Sequence, residues 1–530
     1  MAGLSDPAVS VTVMQAGSGS DWASAPLGWP VVAGLPSPLA VSQLVSRAAW
    51  SGFDRWWSKV AGAGFCARPI HLVGVDGAGR QHTVLVRCKN RRASVCPSCS
   101  DLYAADTWQV VTAGICGGRH GMPQSIAAHP AVFVTLTAPS FGAVHGVRAS
   151  ASGGARRCHR PALGLGDTED HRKTARGSAA PLYRRCIHGK PLWCSVIHDT
   201  KDNSLGQPLC VECYDYAGHV LFSWWAPELW RRFTIAVRRG VRAELGRRGE
   251  DPDAVAVSFV KVVELQARAI PHYHTVIRLD APATDSDGTV APPQTSITAA
   301  ELAALVQAAA HRVRLEVAAG EGRSRVLRFG EQIDTQPLSA ATGTDPDGAA
   351  RRVAGYLAKY VTKSVADFGL WPARISPEAC ASLEVSAHVR GILFSLIALA
   401  GTGTEYAPML AWLHTLGYRG HVTTKSRRFS VTLAALRAHR QSWRADHREH
   451  IPAGLLIGDP DDPTLGHAVG EDALQTVSDW SCTAVGHVCA ADYYLAVSAA
   501  VRAREYRRLA RDAYHDDLGR DAHRNYLAAV

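Results

Sequence analysis

Residues 254–279 read AVAVSFVKVVELQARAIPHYHTVIRL. Residues 254–264 are dense in valine with polar residues interleaved, residues 272–279 repeat the pattern, and the short break between them predicts a β-hairpin. His272 and His274 fall at i and i+2 on the second strand, so both imidazoles project from one face, as two ligands of one metal ion must. With 23 histidines in the chain, about one His-x-His pair is expected by chance, so the pair needs support from elsewhere. Glu264 ends the first strand and offers a carboxylate, and two histidines with one carboxylate make a three-ligand site with open positions. The register must hold Glu264 on the same face, for example opposite His274 with an odd number of loop residues such as 267–271, because a slip of one residue turns it away. Gln266 is the alternative third ligand, and an ordinary exposed carboxylate is the plain alternative for Glu264.

Upstream, AVFVTLT (residues 131–137) is rich in β-branched and apolar residues and stops before Pro139, the pattern of a buried strand. Downstream, YLAKYVTK (residues 356–363) lies in a stretch, 351–364, that predicts a helix. Tyr356, Tyr360 and Lys363 then share one face through i, i+4 and i+7 spacing. A phenol that attacks phosphorus forms a covalent phosphotyrosine, and it needs a cation or metal to offset the charge that builds on the phosphoryl oxygens. Lys359 or Lys363 is placed to supply it. Two packed tyrosines are the structural alternative.

The 13 cysteines follow no secretory leader, which points to reduced thiols or metal ligands rather than disulfides. Chance gives about 0.3 Cys-x-x-Cys pairs, and there are two, Cys96/Cys99 and Cys210/Cys213. Cys88 precedes Cys96 by eight residues and Cys186 precedes Cys194 by the same interval. The echo predicts two similar knuckles, Cys66, Cys88, Cys96 and Cys99 around one tetrahedral Zn²⁺ and Cys186, Cys194, Cys210 and Cys213 around another, with His188 or His198 as substitutes. Filled thiolate shells leave zinc no open position, so both sites read as structural. Cys116, Cys158, Cys380, Cys482 and Cys489 read as small buried apolar residues.

The 530-residue chain carries 57 Lys+Arg against 47 Asp+Glu, a net charge of +10, with 47% hydrophobic residues. It reads as a soluble basic protein of three or four domains at about 150 residues each. Nine of the cations are lysine and 48 arginine, whose planar fork suits phosphate, although a GC-rich genome produces the same bias. The longest nearly apolar run, residues 392–400, is far short of the ~20 residues that span a bilayer, so secretion and membrane insertion are disfavoured and the expected location is the cytoplasm, with no membrane partner. Residues 1–40 read as a flexible leader, 41–370 as the domain with the motifs, and 375–530 as a helical, basic domain after a boundary near 370–380. Further helices are expected over 103–113, 227–248 and 299–319. Arg419, Lys425, Arg427 and Arg428, with Tyr418, Phe429 and Trp443 nearby, form a candidate surface for phosphates and stacked bases. No G-x-x-x-x-G-K-[ST] is present, so the chain lacks the phosphate loop of a helicase motor.

Taken in order, VFVTLT (132–137), PHYHTVI (271–277) and YLAKYVTK (356–363) resemble the three motifs of the HUH superfamily of single-strand endonucleases. With CPSC (96–99), GQPLCVECYDY (206–216), ELWRRFTI (228–235) and GHVTTKSRRFSVTL (420–433), the chain more closely resembles the rolling-circle replication initiators of actinobacterial plasmids and integrative conjugative elements, over roughly residues 60–440. The resemblance implies an α+β fold in which an antiparallel sheet carries the metal site, a helix presents the tyrosines and zinc knuckles are inserted. It implies that His272, His274 and Glu264 hold Mg²⁺ or Mn²⁺ on one phosphate of single-stranded origin DNA, and that Tyr356 or Tyr360 attacks it. The products would be a 5′-phosphotyrosine and a free 3′-OH, with a host helicase and polymerase as partners. Tyr-x-x-Lys favours Tyr356, whereas the doubled tyrosine also resembles initiators in which two phenols alternate.

Three other readings are distinguishable. A non-haem iron oxygenase also uses two histidines and a carboxylate, but it needs no tyrosine and no basic surface. A zinc-dependent DNA-binding regulator would bind DNA without forming an adduct. A conjugative relaxase of the same superfamily would differ in the DNA that it nicks.

Overall fold

The computed structural model describes residues 38–77, 79–149, 155–159, 185–200, 202–282, 290–320, 322–338, 346–371, 373–446 and 478–528. The expected leader lies outside these residues except for its last three positions. In chain order the elements are α1 (Pro38–Ala48), α2 (Phe53–Gly62), β1 (Ile70–Val75), β2 (Gln81–Val86), α3 (Pro97–Cys116), β3 (Ala131–Leu136), β4 (Arg148–Ala149), β5 (Ala155–Arg156), α4 (Tyr216–Arg248), β6 (Ala256–Leu265), β7 (Pro271–Asp280), α5 (Ala299–Arg312), β8 (Leu315–Ala318), β9 (Ser324–Leu327), β10 (Ile333–Pro337), α6 (Pro346–Tyr360), α7 (Ala387–Ala400), β11 (Thr423–Lys425), α8 (Leu433–Asp446), β12 (Ser478–Val485) and α9 (Ala490–Ala528). The fold is α+β with antiparallel sheets.

The chain divides into two units, residues 106–433 and residues 1–105 with 434–530. Residues 370–380, expected to hold a boundary, lie inside the first of these. The stretch 375–530 is therefore shared between the two units, and it is not purely helical. Thr423–Lys425 pairs with β6 and Ser478–Val485 pairs with β1, each antiparallel.

In the unit 106–433 the hairpin of β6 and β7 lies at the centre of a five-stranded sheet of order β10-β3-β7-β6-β11. Side chains alternate between its faces. Val132, Val134, Leu136, Val263, Tyr273 and Ile277 pack with Leu229, Trp230 and Phe233 of α4 and Leu302 and Val306 of α5 in one continuous core. The expected helix from Pro227 begins earlier, at Tyr216, where the Asp215 side chain accepts from Gly218 N. Residues 219–224 are buried all round, so they offer no polar stripe from which a helical period could be read. The helix expected over 299–319 stops at Arg312, and its start is fixed by a capping box between Thr298 and Glu301.

The other unit has a three-stranded sheet of order β12-β1-β2. Arg47 of α1 pairs with the buried Asp492 of α9 at 2.6 Å. Ala63, Cys66, Ala67, Cys96, Cys99 and Val497 form its small core. Among the described residues, no helix is long and apolar enough to cross a membrane.

Candidate active site and metal centres

The hairpin pairs Glu264 with His272 and Val262 with His274. Directly opposed residues share a face, so Glu264 stands on the side of both histidines, although its cross-strand partner is His272 rather than His274. The loop is 266–270, again an odd number of residues, so the face is the same and the pairing has moved by two. Glu264 Oε2 still reaches His274 Nε2 at 3.2 Å along the diagonal. On the neighbouring strand Thr135 opposes His274, with its Oγ1 3.4 Å from His274 Nδ1, and Phe133 stacks on that imidazole at 6.2 Å.

Helix α6 brings the tyrosines to this face. The His274 ring lies 4.9 Å from Tyr356 and 5.4 Å from Tyr360, and the two phenol rings are 4.6 Å apart. The helix ends at Tyr360, short of the expected Ser364, and Ser364 instead caps the turn that follows. Lys363 thus reaches in from beyond the helix: its Nζ lies 2.8 Å from Glu264 Oε1 and 4.6 Å from the Tyr360 ring centre. Lys359 Nζ is 5.7 Å from the same ring.

Burial, with His274 beside it, pushes the His272 imidazole down to about 3, so it is neutral and free to donate a lone pair. Its buried Nδ1 has no hydrogen-bond partner among the described residues. Burial alone would raise the Glu264 carboxyl, but hydrogen bonds from His274 and Lys363 win and hold it below the usual carboxylate range. A neutral imidazole with an orphaned nitrogen, a second imidazole and an ionised carboxylate fit a divalent cation in kind. They converge less closely than the cysteine clusters, whose ligand atoms all lie within 4.8 Å of one another. Gln266 lies beyond the strand end, with its Oε1 3.3 Å from Arg268 Nε. Burial and the hydrogen bond with Tyr360 raise the Tyr356 phenol above its ordinary value.

Among the described residues, nine of the cysteines, some with histidines, gather into three clusters. Cys66, Cys88, Cys96 and Cys99 meet with three Sγ–Sγ separations of 3.7 Å, close to the ~3.8 Å edge of a tetrahedron with Zn–S bonds of about 2.3 Å. Backbone N–H groups of Ala67 and Cys88 point at Cys96 and Cys66 sulfurs from 3.3 Å. Hydrogen bonds among the four sulfurs hold the Cys96 thiol below its ordinary value and push the Cys66 thiol above it.

The expected second knuckle is divided. Cys186, Cys210 and Cys213 gather with His188, whereas Cys194 gathers with His145, Cys158 and His198. His188 and His198, read as alternative substitutes, belong to different clusters. The interval of eight residues was misleading because ligand sets are decided by which loops meet, and Cys194 is bridged by its backbone to His159. Cys158, read as a small apolar residue, is a fully buried member of the third cluster, and Cys482 is exposed on β12. His145 belongs to no short Cys/His motif, so its place in the sequence carries no metal-ligand signal.

Of the four basic residues read as a DNA surface, three have internal partners. Arg419 stacks over Trp224 at 4.5 Å and Trp225 at 5.2 Å. Lys425 Nζ donates to Ser430 O at 2.7 Å and Arg427 O at 3.1 Å, and Arg428 donates to Ala281 O at 3.1 Å. Arg427 is exposed.

A family model described as "Replication initiator protein, pSAM2" matches residues 52–501. A replication initiator protein of Streptomyces ambofaciens is 34% identical over 512 residues, which cover 92% of this chain and 98% of that protein. No solved structure matches the chain. With the match running through the hairpin, the tyrosine helix and all three cysteine clusters, the chain belongs to the pSAM2 family of replication initiator proteins.

Proposed function

We propose that the protein starts rolling-circle replication by cutting one strand of origin DNA through tyrosine transesterification, the chemistry of the HUH endonucleases. The reading rests chiefly on one observation: both phenols lie against the imidazole of His274, which shares its sheet face with His272 and Glu264. The phenol oxygen bonds to phosphorus and gives up its proton, the P–O3′ bond breaks, and the departing 3′ oxygen takes up a proton. The 5′ phosphate stays on the enzyme as a diester and the free 3′-OH serves a polymerase. Mg²⁺ or Mn²⁺, held by His272, His274 and Glu264, would draw charge from the non-bridging oxygens. Lys363 holds the Glu264 carboxylate and places an ammonium beside Tyr360, where it can offset phosphate charge. Tyr356 is the favoured nucleophile because it is 40% exposed and so open to a DNA strand. Lacking a phosphate loop, the protein depends on a host helicase for unwinding.

The test is a covalent-adduct assay on single-stranded DNA from the element's own origin, with Mn²⁺ or EDTA, using the wild type, Tyr356→Phe, Tyr360→Phe and the double variant. A metal-dependent adduct lost in Tyr356→Phe is expected; loss only in the double variant would mean that the phenols alternate. If a verified origin is bound specifically but no adduct forms with any metal, the protein is a zinc-dependent DNA-binding regulator instead.

A further inference from the structure

The two clusters between residues 145 and 213 alternate along the chain. His145 and Cys158 belong to one, Cys186 and His188 to the other, Cys194 and His198 to the first again, and Cys210 and Cys213 to the second. We infer that the eight described His and Cys residues between 145 and 213 form a cross-braced pair of Zn²⁺ sites, one on His145, Cys158, Cys194 and His198 and one on Cys186, His188, Cys210 and Cys213, each ion needed for the other's site to close.

The donor sets are two thiolates with two imidazoles and three thiolates with one imidazole, both suited to tetrahedral zinc. In the first, His145 Nδ1 lies 3.2 Å from His198 Nε2, Cys194 Sγ 3.4 Å from His198 Nε2, and Cys158 Sγ 4.0 Å from His145 Nδ1. In the second, His188 Nδ1 lies 3.2 Å from Cys213 Sγ and 3.7 Å from Cys210 Sγ. An ideal tetrahedral zinc site with these donors has separations of roughly 3.3–3.8 Å, and the distances here straddle that range.

Two independent features support the inference. Asp202 Oδ2 is 2.6 Å from His198 Nδ1, so a proton on Nδ1 is held by the carboxylate and the Nε2 lone pair faces the other donors. Ser204 Oγ in turn donates to Asp202 at 2.7 Å. Carboxylates behind ligating imidazoles orient them in this way. Second, the described residues of the segment form no apolar core. Apart from Gly206, its buried described residues are Cys158, Cys194, His198, Pro208 and Cys210, all ligands except Pro208, while Ile187 is 94% exposed. A stretch with so little apolar burial needs another source of folding energy, and metal binding is one. The module also abuts the catalytic hairpin: a Cβ on Gly206 would strike the backbone of Ala267 and Arg268.

Interleaving makes the ions interdependent, because Cys186 and His188 lie in sequence between Cys158 and Cys194, and releasing either end loosens the stretch that carries them. The experiment measures zinc per chain by mass spectrometry of the full-length protein. A His272→Ala/His274→Ala background keeps the candidate active-site ion out of the count. Three zinc ions are expected, including the one on Cys66, Cys88, Cys96 and Cys99. Cys194→Ala should lower the count from three to one, with the four-cysteine site as internal reference; a count of two would overturn the cross-bracing, and a parent count below three would overturn the two-ion module. Should Cys194→Ala fail to fold, Asp202→Asn keeps all eight ligands. It is expected to speed chelator-driven release from both interleaved sites about tenfold or more while leaving the four-cysteine site unchanged. Acceleration at one site alone would again overturn the coupling.

Discussion

Lys363 Nζ stands 2.8 Å from one oxygen of Glu264, and the other oxygen of the same carboxylate stands 3.2 Å from His274 Nε2. A side chain from beyond the tyrosine helix thus sets the ionisation of a side chain on the sheet. Glu264 is largely buried, and without these partners burial would raise its carboxyl. In Lys363→Met the carboxyl should titrate at higher pH, because one of the two groups that depress it is gone. The acid limb of adduct formation should therefore move toward neutrality, with the alkaline limb in place. A pH profile of single-turnover adduct formation checks this, and an unmoved acid limb would refute the role given to Lys363.

His272 titrates near 3 in the fold against 6.5 in an unfolded chain. Between those values the unfolded state binds a proton that the native state does not, so stability falls as pH drops below about 6.5, by up to about 1.4 kcal/mol per pH unit for one group. Above pH 6.5 both states are neutral and the effect vanishes. The metal-free His272→Gln variant should show a shallower acid slope by about one proton, read from urea midpoints between pH 4 and 6.5.

Arg278 and Asp280 form a buried ion pair at 2.7 Å, and His129 approaches the same carboxylate at 2.9 Å. Arg278 also donates to Gly114 O and lies under Phe429. Asp280→Asn strands a buried guanidinium, and the unit 106–433 should lose about 3–5 kcal/mol. Tryptophan fluorescence during urea unfolding measures the loss, and a change under about 1 kcal/mol would contradict the buried pairing.

Exposure should order the candidate metal sites. His188 and Cys213 are exposed, whereas Cys66, Cys96 and Cys99 are buried. Under a zinc chelator, two ions should leave in an early phase, led by the Cys186/His188/Cys210/Cys213 site, and the third should leave later. A metallochromic dye follows both phases, and early loss from the buried four-cysteine site would reverse the expected order.

Much of the site was legible because its signals are local. Apolar runs with interleaved polar residues and a short break predict the β6–β7 hairpin, i and i+2 spacing puts His272 and His274 on one face, and i and i+4 spacing aligns Tyr356 with Tyr360. Each depends on the period of a single element, which neighbouring side chains along the chain carry in full. Tertiary structure decided the rest. The hairpin register, set by a 266–270 loop, gave Glu264 its partner in His272. The start of α4 was hidden because burial on every side removes the polar stripe. Arg419, Lys425 and Arg428 look in sequence like free cations, and only the fold shows them on tryptophan rings and backbone carbonyls. The division of Cys186, Cys194, Cys210 and Cys213 between two clusters depends on which loops meet in space. Spacing along the chain determines which residues can share a strand or helix face, but a ligand set drawn from separate loops is determined only when the chain has closed around it.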